Sequence, residues 1–543
     1  MRRYQKTSRL LRRAAGTLAL AACLAAAGSP PAVAGQAGTP PVPVVLPAVE
    51  KVAAGAARSL GEPAAAADSA VTAVAATSFG ATGAQADVWA SPAGGTAWRQ
   101  AGAVLPAGFG SSYDPAAAAA PGGPLLVVAG TAPPGEQCIA NGSVAIASVG
   151  SGGALGAARL VSDQRGTGSF DDRPMVAVGQ DGTVWVAWSQ GPDADACQNV
   201  GYDDRIEVAV SHDGGRTFGS PVAMPADGGH SAFGVRLAPL AGGQVAVSWT
   251  ETTPVGDQAV LVSVLGPGAQ PRQPAEALTG DGPPLVLTGA SFYDFPAGDL
   301  AALPSGKLEV AAPFWVDGRS VIEIAAGLPG GRWQETDLSP PDGADFLLPA
   351  LGVVSPDVVR LVCAVHTRSG DRLGYDWADV NLGSQGPVLG NAGLTALTPA
   401  PPGPGFYEIG EELALARTPG GLLTAVVVAG RDGAALETAA FSVPVAAAVP
   451  SGQTGTASAA TGTASAATGT SRPGTPAASG NAATGTGTAR SASGRLSRLA
   501  LTAAGLVVAA LCCAAAASAF MLRRRRRRQR SRARPPARHR VPR

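Results

Sequence analysis

Lysine, histidine, cysteine and aromatic side chains are all scarce in this chain, and each scarcity narrows what it can be. Lysine occurs three times, at Lys6, Lys51 and Lys307, so arginine supplies 37 of the 40 basic residues. Beside abundant Ala, Gly and Pro, that bias is the one expected of a GC-rich bacterial genome. Aromatic residues make up 5% of a sequence that is 46% apolar, so Ala and Gly supply the bulk of the apolar content. Outside the two ends only His212, His230 and His366 remain. With no CxxC and no HExxH, they argue against zinc. No GxSxG elbow, Walker loop or dinucleotide fingerprint occurs, so no cofactor is expected. The acidic stretch with Asp193, Asp195, Asp203 and Asp204 has oxygen ligands for Ca²⁺ but not the spacing of an EF-hand. It reads as solvated acids, and no metal site is assigned.

Acidic residues are missing from both ends. All 39 lie in 35–450, against 18 of the 40 basic residues, which leaves that region near −21 while the whole chain stands at +1. Such a field excludes nucleic acid and other polyanions as favoured partners. The basic stretch MRRYQKTSRLLRR followed by the apolar Ala14–Ala27 and the small residues Ala32 and Ala34 predicts an export signal over 1–34. Leu20-Ala21-Ala22-Cys23 offers a competing lipidation reading. Near the other end, 498–522 includes 24 uncharged residues from Leu499 to Leu522, about 36 Å as a helix and enough to cross a bilayer. Arg523–Arg528 follow at once, which predicts an arginine-rich cytoplasmic tail over 523–543 able to meet anionic lipid headgroups. Residues 451–497, with TGTASAA repeated in tandem, read as a flexible stalk, and the Pro/Ala-rich 35–68 as a shorter flexible lead.

Six cysteines divide by compartment. Cys23 falls in the export signal and Cys512 and Cys513 in the membrane segment. Cys138 and Cys197, both in polar loop sequence, form the candidate disulfide, while Cys363 in VVRLVCAVH reads as a buried thiol.

Between the ends, 69–450 carries a repeat. Short apolar β-type runs recur near Val74, Val127, Val186, Val247, Val310, Leu361 and Val426, most after a Gly-bearing turn such as GQDGT, LAGGQ or LPSGK. Their continuous apolar character suits strands covered on both faces, and helical patterning is absent. A unit of this size with several strands predicts an all-β β-propeller of four-stranded blades, seven or, if the first run is not a repeat, six. A solenoid or a pair of β-sandwiches is the alternative.

SHDGGRTF at 211–218 resembles the Asp box of sialidase-like, BNR-repeat propellers, through Ser211, Asp213, Gly215, Thr217 and Phe218. SPAGGTAW (91–98) and LPGGRW (328–333) are degenerate copies without the acid. The resemblance is strongest over 160–226. It implies a structural turn, remote from any substrate, in which Ser and Asp side chains bond the turn backbone. A sialidase would further imply three arginines that clamp a carboxylate and a Tyr–Glu pair. Asp172-Arg173-Pro174 matches only part of the first arginine's motif. Arg236, Arg417 and Tyr407-Glu408 are the remaining candidates. No catalytic residue is therefore assigned. The expected function is an exported, membrane-anchored surface module that binds an extracellular glycan or protein. The alternatives are a sialidase-class exo-glycosidase and a purely structural surface protein.

Overall fold

The computed structural model describes residues 48–442 except 55–58, 81–82, 94–96, 120–124, 136–138, 193–203, 225–230, 253–256, 268–269, 273, 283–297, 370–371, 383–386, 396–412, 419–420 and 431–432. The expected signal, stalk, membrane span and tail lie outside these residues. No helix among the described residues is long and apolar enough to cross a membrane.

The described chain is all strand and turn. Strand β1 spans Ala48–Ala54. Blade 1 follows as β2 (Ser59–Ala67), β3 (Val71–Gly80), β4 (Gly83–Pro92) and β5 (Arg99–Ala103). Blade 2 is β6 (Ser111–Ala119), β7 (Leu125–Ala132), β8 (Ser143–Val149) and β9 (Arg159–Leu160). Blade 3 is β10 (Ser169–Val178), β11 (Val184–Pro192), β12 (Arg205–Ser211) and β13 (Val222–Ala223). Blade 4 is β14 (Ser231–Leu240), β15 (Gln244–Thr252), β16 (Asp257–Leu265) and β17 (Ala275–Asp281). Blade 5 is β18 (Asp299–Ala302), β19 (Leu308–Val316), β20 (Arg319–Gly327) and β21 (Gln334–Leu338). Blade 6 is β22 (Ala344–Ser355), β23 (Val358–Thr367), β24 (Arg372–Asn381) and β25 (Val388–Thr395). Blade 7 begins with β26 (Leu415–Thr418), β27 (Gly421–Gly430) and β28 (Gly433–Ser442).

Each blade is one four-stranded antiparallel sheet, and β1 supplies the missing outer strand of blade 7 by pairing with β28. The first strands touch one another in a closed series: β2, β6, β10, β14, β18, β22, β26 and back to β2. They therefore ring a common axis. The described residues form a seven-bladed β-propeller.

All seven apolar runs in the sequence are second strands. These lie between two neighbours in their own sheet and between two blades, so both faces are covered: Leu125–Ala129 and Val184–Trp188 are wholly buried. Side chains alternate between blade faces. The core is accordingly a set of inter-blade layers, such as Leu126, Ile146, Val176, Val186 and Trp188 between blades 2 and 3. Polar links near the start of third strands tie blade 1 to blade 2 and blade 5 to blade 6. The Ala86 N–H donates to Ser112 Oγ at 2.9 Å, and the Ser320 N–H to Asp345 Oδ1 at 2.8 Å.

One boundary is corrected. Residues 48–54 and 59–67, expected within a flexible lead, are the closing strand and the first inner strand. Alanine is a weak strand former by itself, and the strand is decided here by long-range pairing and close inter-blade packing. The same holds for Ala116–Ala119 of blade 2.

Candidate functional site

Strand direction alternates within a blade, which gives the propeller two different ends. At one, the turn end, the first and second strands and the third and fourth are joined. At the other, the loop end, each inner strand begins. The long connections 193–204 and 282–298 join strands at the loop end.

In the loop-end half of the inner strands the pairing to the second strand skips two residues. The skipped pairs are Glu62-Pro63, Asp114-Pro115, Arg173-Pro174, Gly234-Val235 and Leu348-Pro349. The first residue of every pair has positive φ: Glu62 53°, Asp114 47°, Arg173 51°, Gly234 63° and Leu348 48°. Proline fits here because the bulged position carries no ladder hydrogen bond and the inner strand is a sheet edge. Left-handed backbone at a non-glycine residue costs on the order of 1 kcal/mol or more, and such strain concentrates at functional positions. Between buried neighbours Pro63, Pro115 and Pro174, the side chains of Glu62, Asp114 and Arg173 remain partly accessible. Three polar bulges at one level in adjacent blades form the candidate site.

Their geometry is predominantly acidic. Glu62 Oε2 accepts from Thr77 Oγ1 at 2.5 Å and from the Asp114 N–H at 3.1 Å, which couples blades 1 and 2. Arg173 Nε lies 3.8 Å from Asp172 Oδ2. Behind them Tyr113 packs over Gly130, where a Cβ would lie 2.4 Å from the ring, so only glycine fits. Burial raises the Tyr113 pKa well above its ordinary value, and Asp172, Asp114, Asp171 and Glu62 raise it further. The phenol is neutral at ordinary pH, and its buried hydroxyl has no hydrogen-bond partner among the described residues. Asp171 is also pushed up by burial, against bonds from Ser162, Gln190 and Gln164.

The structure separates the three candidate arginines. Arg173 is at the bulge. Arg236, next after the blade 4 bulge, is 6% exposed, and its Nε lies 3.5 Å from Asp299 Oδ1. Asp299 Oδ2 accepts from the Leu351 N–H at 2.6 Å, so this pair links blades 4, 5 and 6 at a level where blades 1, 2 and 6 have Ala64, Ala116 and Ala350. Arg417 is exposed near the turn end of β26, away from the bulges. These three do not form a carboxylate clamp. Tyr407 and Glu408 lie outside the described residues. In the sequence they continue a Tyr-acid repeat, Tyr113-Asp114, Tyr293-Asp294 and Tyr407-Glu408. That repeat, with the recurring Xaa-Pro step, was the available signal for the bulge ring.

The Asp-box residues sit at the turn end between β12 and β13. Ser211 Oγ donates to Asp213 Oδ1 at 2.7 Å and accepts the Gly215 N–H at 2.8 Å. Asp213 also accepts the Arg216 and Thr217 N–H groups at 2.9 Å and the Thr217 hydroxyl at 2.6 Å. Bonds from the Thr217 hydroxyl and N–H, then from Ser211, hold its carboxyl well below the usual range. Arg159 of blade 2 donates to the Gly215 carbonyl, and Phe218 packs against the layer between blades 2 and 3. Gly214 and Gly215 take φ of 73° and 81°. Cys363 is buried and its thiol pKa is raised by that burial. Cys138 and Cys197 lie outside the described residues, as do Asp193, Asp195 and Asp203. Asp204 accepts from Ser231 Oγ at 3.3 Å. Among the described residues no group of three or more His, Cys, Asp or Glu could hold a metal ion.

No family model and no curated sequence matches this chain. Solved propellers do resemble it. An ulvan lyase is 13% identical with TM-score 0.45, over 70% of this chain and 93% of that one. A Hadza microbial sialidase is 11% identical with TM-score 0.40, over 68% and 75%. A Penicillium chrysogenum α-L-arabinanase is 12% identical with TM-score 0.38, over 73% and 98%. The likeness is one of fold, which the chain's own sheet order and closed ring establish.

Proposed function

We propose that this chain is an exported, membrane-anchored binding module, without hydrolase activity, whose ligand seats at the loop end of the propeller channel. The observation that carries the reading is the strained, partly accessible ring of Glu62, Asp114 and Arg173. Arg236 is instead buried against Asp299, and burial raises the Tyr113 pKa well above its ordinary value. Carboxylates that outnumber guanidinium groups favour a hydroxyl-rich or basic ligand, a neutral glycan, an amino sugar or a basic protein segment, over an acidic sugar.

Glu62→Gln and Asp114→Asn test this, because asparagine tolerates the left-handed backbone at 114. On glycan and protein arrays the full-length chain should bind a neutral or basic ligand, and each variant should weaken it about tenfold, the loss of roughly one charge-assisted bond. Fluorogenic sialoside should not be cleaved above background. Turnover that Arg173→Ala abolishes in a folded protein would replace the binding reading with the glycosidase one.

Anchoring follows from the ends of the chain. Protease shaving of intact cells should release the propeller and leave the arginine tail protected, and release of the tail instead would refute the orientation.

A further inference from the structure

At the turn end, a cleft of about 230 Å³ opens between blades 5 and 6. Blade 5 lines it with Lys307, Leu328, Arg332 and Gln334, and blade 6 with Leu382 and Pro387. Leu328, 53% exposed, is in its wall and is one of the two exposed large hydrophobic side chains among the described residues. Lys307 Nζ donates to the Leu382 carbonyl at 2.8 Å, which fixes a cation across the blade boundary.

The charge in this cleft opposes that of the propeller. The turn Leu328–Trp333 is the degenerate Asp box, with Pro329 in the region where blade 3 has Asp213, so Arg332 lacks the turn acid that Arg216 has beside it. On β21, Gln334 pairs with Ala326 and shares its face toward blade 6. Glu335 and Asp337 alternate onto the opposite face. Glu309, two residues beyond Lys307 on the same face, is fully buried, away from the cleft's solvent, and burial raises its pKa well above the ordinary value.

We propose that this cleft is a second binding site, for an acidic peptide segment of a partner protein that carries an apolar residue beside its carboxylates. The two cations select the acid, and the exposed Leu328 selects the apolar side chain, which an anionic polysaccharide would not supply. Residues 443–543 contain no Asp or Glu, so this chain's own C-terminal segment does not complement the cleft.

The test uses the full-length chain and fluorescent peptides of alternating Asp and Leu, Asp and Ser, and Asn and Leu. The Asp-Leu peptide should bind. Lys307→Gln with Arg332→Gln, and separately Leu328→Ser, should each weaken it about tenfold or more at unchanged melting temperature. Glu62→Gln should leave it unchanged, which separates this site from the channel. Equal binding of the Asp-Ser or Asn-Leu peptide overturns the proposal. So does insensitivity to both the cation and the Leu328 changes, or preference for phosphatidylglycerol vesicles, heparin or a second copy of the chain.

Discussion

Deleting Ala48–Ala54 should abolish most of the propeller's cooperative stability. Six residues of β1 pair with β28, and this is the only link by which the start of the described chain closes the sheet of blade 7. At about 0.5–1.5 kcal/mol net per hydrogen bond, loss of the strand removes several kcal/mol, a large part of the roughly 5–15 kcal/mol that holds a domain folded. It also exposes the edge of β28, an invitation to intermolecular strand pairing. The expected result is a melting temperature lower by about 10 °C or more, with soluble aggregates on gel filtration. A permutant that begins at Ser59 and carries 48–54 after Ser442, through an Asn-Gly turn, should recover the loss, because β28 ends where β1 begins. An unchanged melting curve after the deletion would mean that closure does not depend on this strand.

Replacing Glu309 by leucine should stabilise the protein at neutral pH, and progressively less as the pH falls. Glu309 is 0% exposed, and neither of its carboxylate oxygens has a partner among the described residues. The same register in blades 1 to 4 holds Ala73, Leu126, Trp185 and Ala246, and in blade 6 Arg360, which pairs with Asp379 at 2.7 Å. Burial pushes the Glu309 pKa well above its ordinary value of 4.5. The folded state therefore keeps the proton that the unfolded state releases. Below the ordinary value both states are protonated and no ionic penalty exists. As the pH rises above it, the unfolded state gains ionisation free energy and stability falls until the raised folded pKa is reached. Glu309→Leu removes that linkage and an unpaired polar group, worth roughly 2 kcal/mol or more at pH 7. Urea midpoints at pH 4 and pH 7 measure it. A gain that is equal at both pH values would leave packing alone as its cause, and a loss at pH 7 would mean that Glu309 has a partner.

Some of this was legible before any coordinates. Residues 171–190 and 205–218 carry Pro-bounded and Gly-bounded strands and an intact Asp-box turn, and blade 3 follows that sequence closely. Local chemistry is enough there: bonds from Asp213 close within four residues. The Ala-rich inner strands left no such mark, and Glu62 and Asp114 were passed over with them.

The sequence by itself determined the blade repeat, the Asp-box turn, the acidic charge of 35–450 and the acid-free ends, because each is written within a short span of chain. Tertiary structure alone decided the rest. Residues 48–54 become a strand through pairing with 435–440, almost the whole propeller away. Arg236 meets Asp299 across a blade boundary, and Arg417 falls near the opposite end of its strand. Glu62, Asp114 and Arg173 come to one level only when the ring closes. Contacts between residues so distant in sequence depend on how the blades pack and not on local pattern, and the candidate site is made of such contacts.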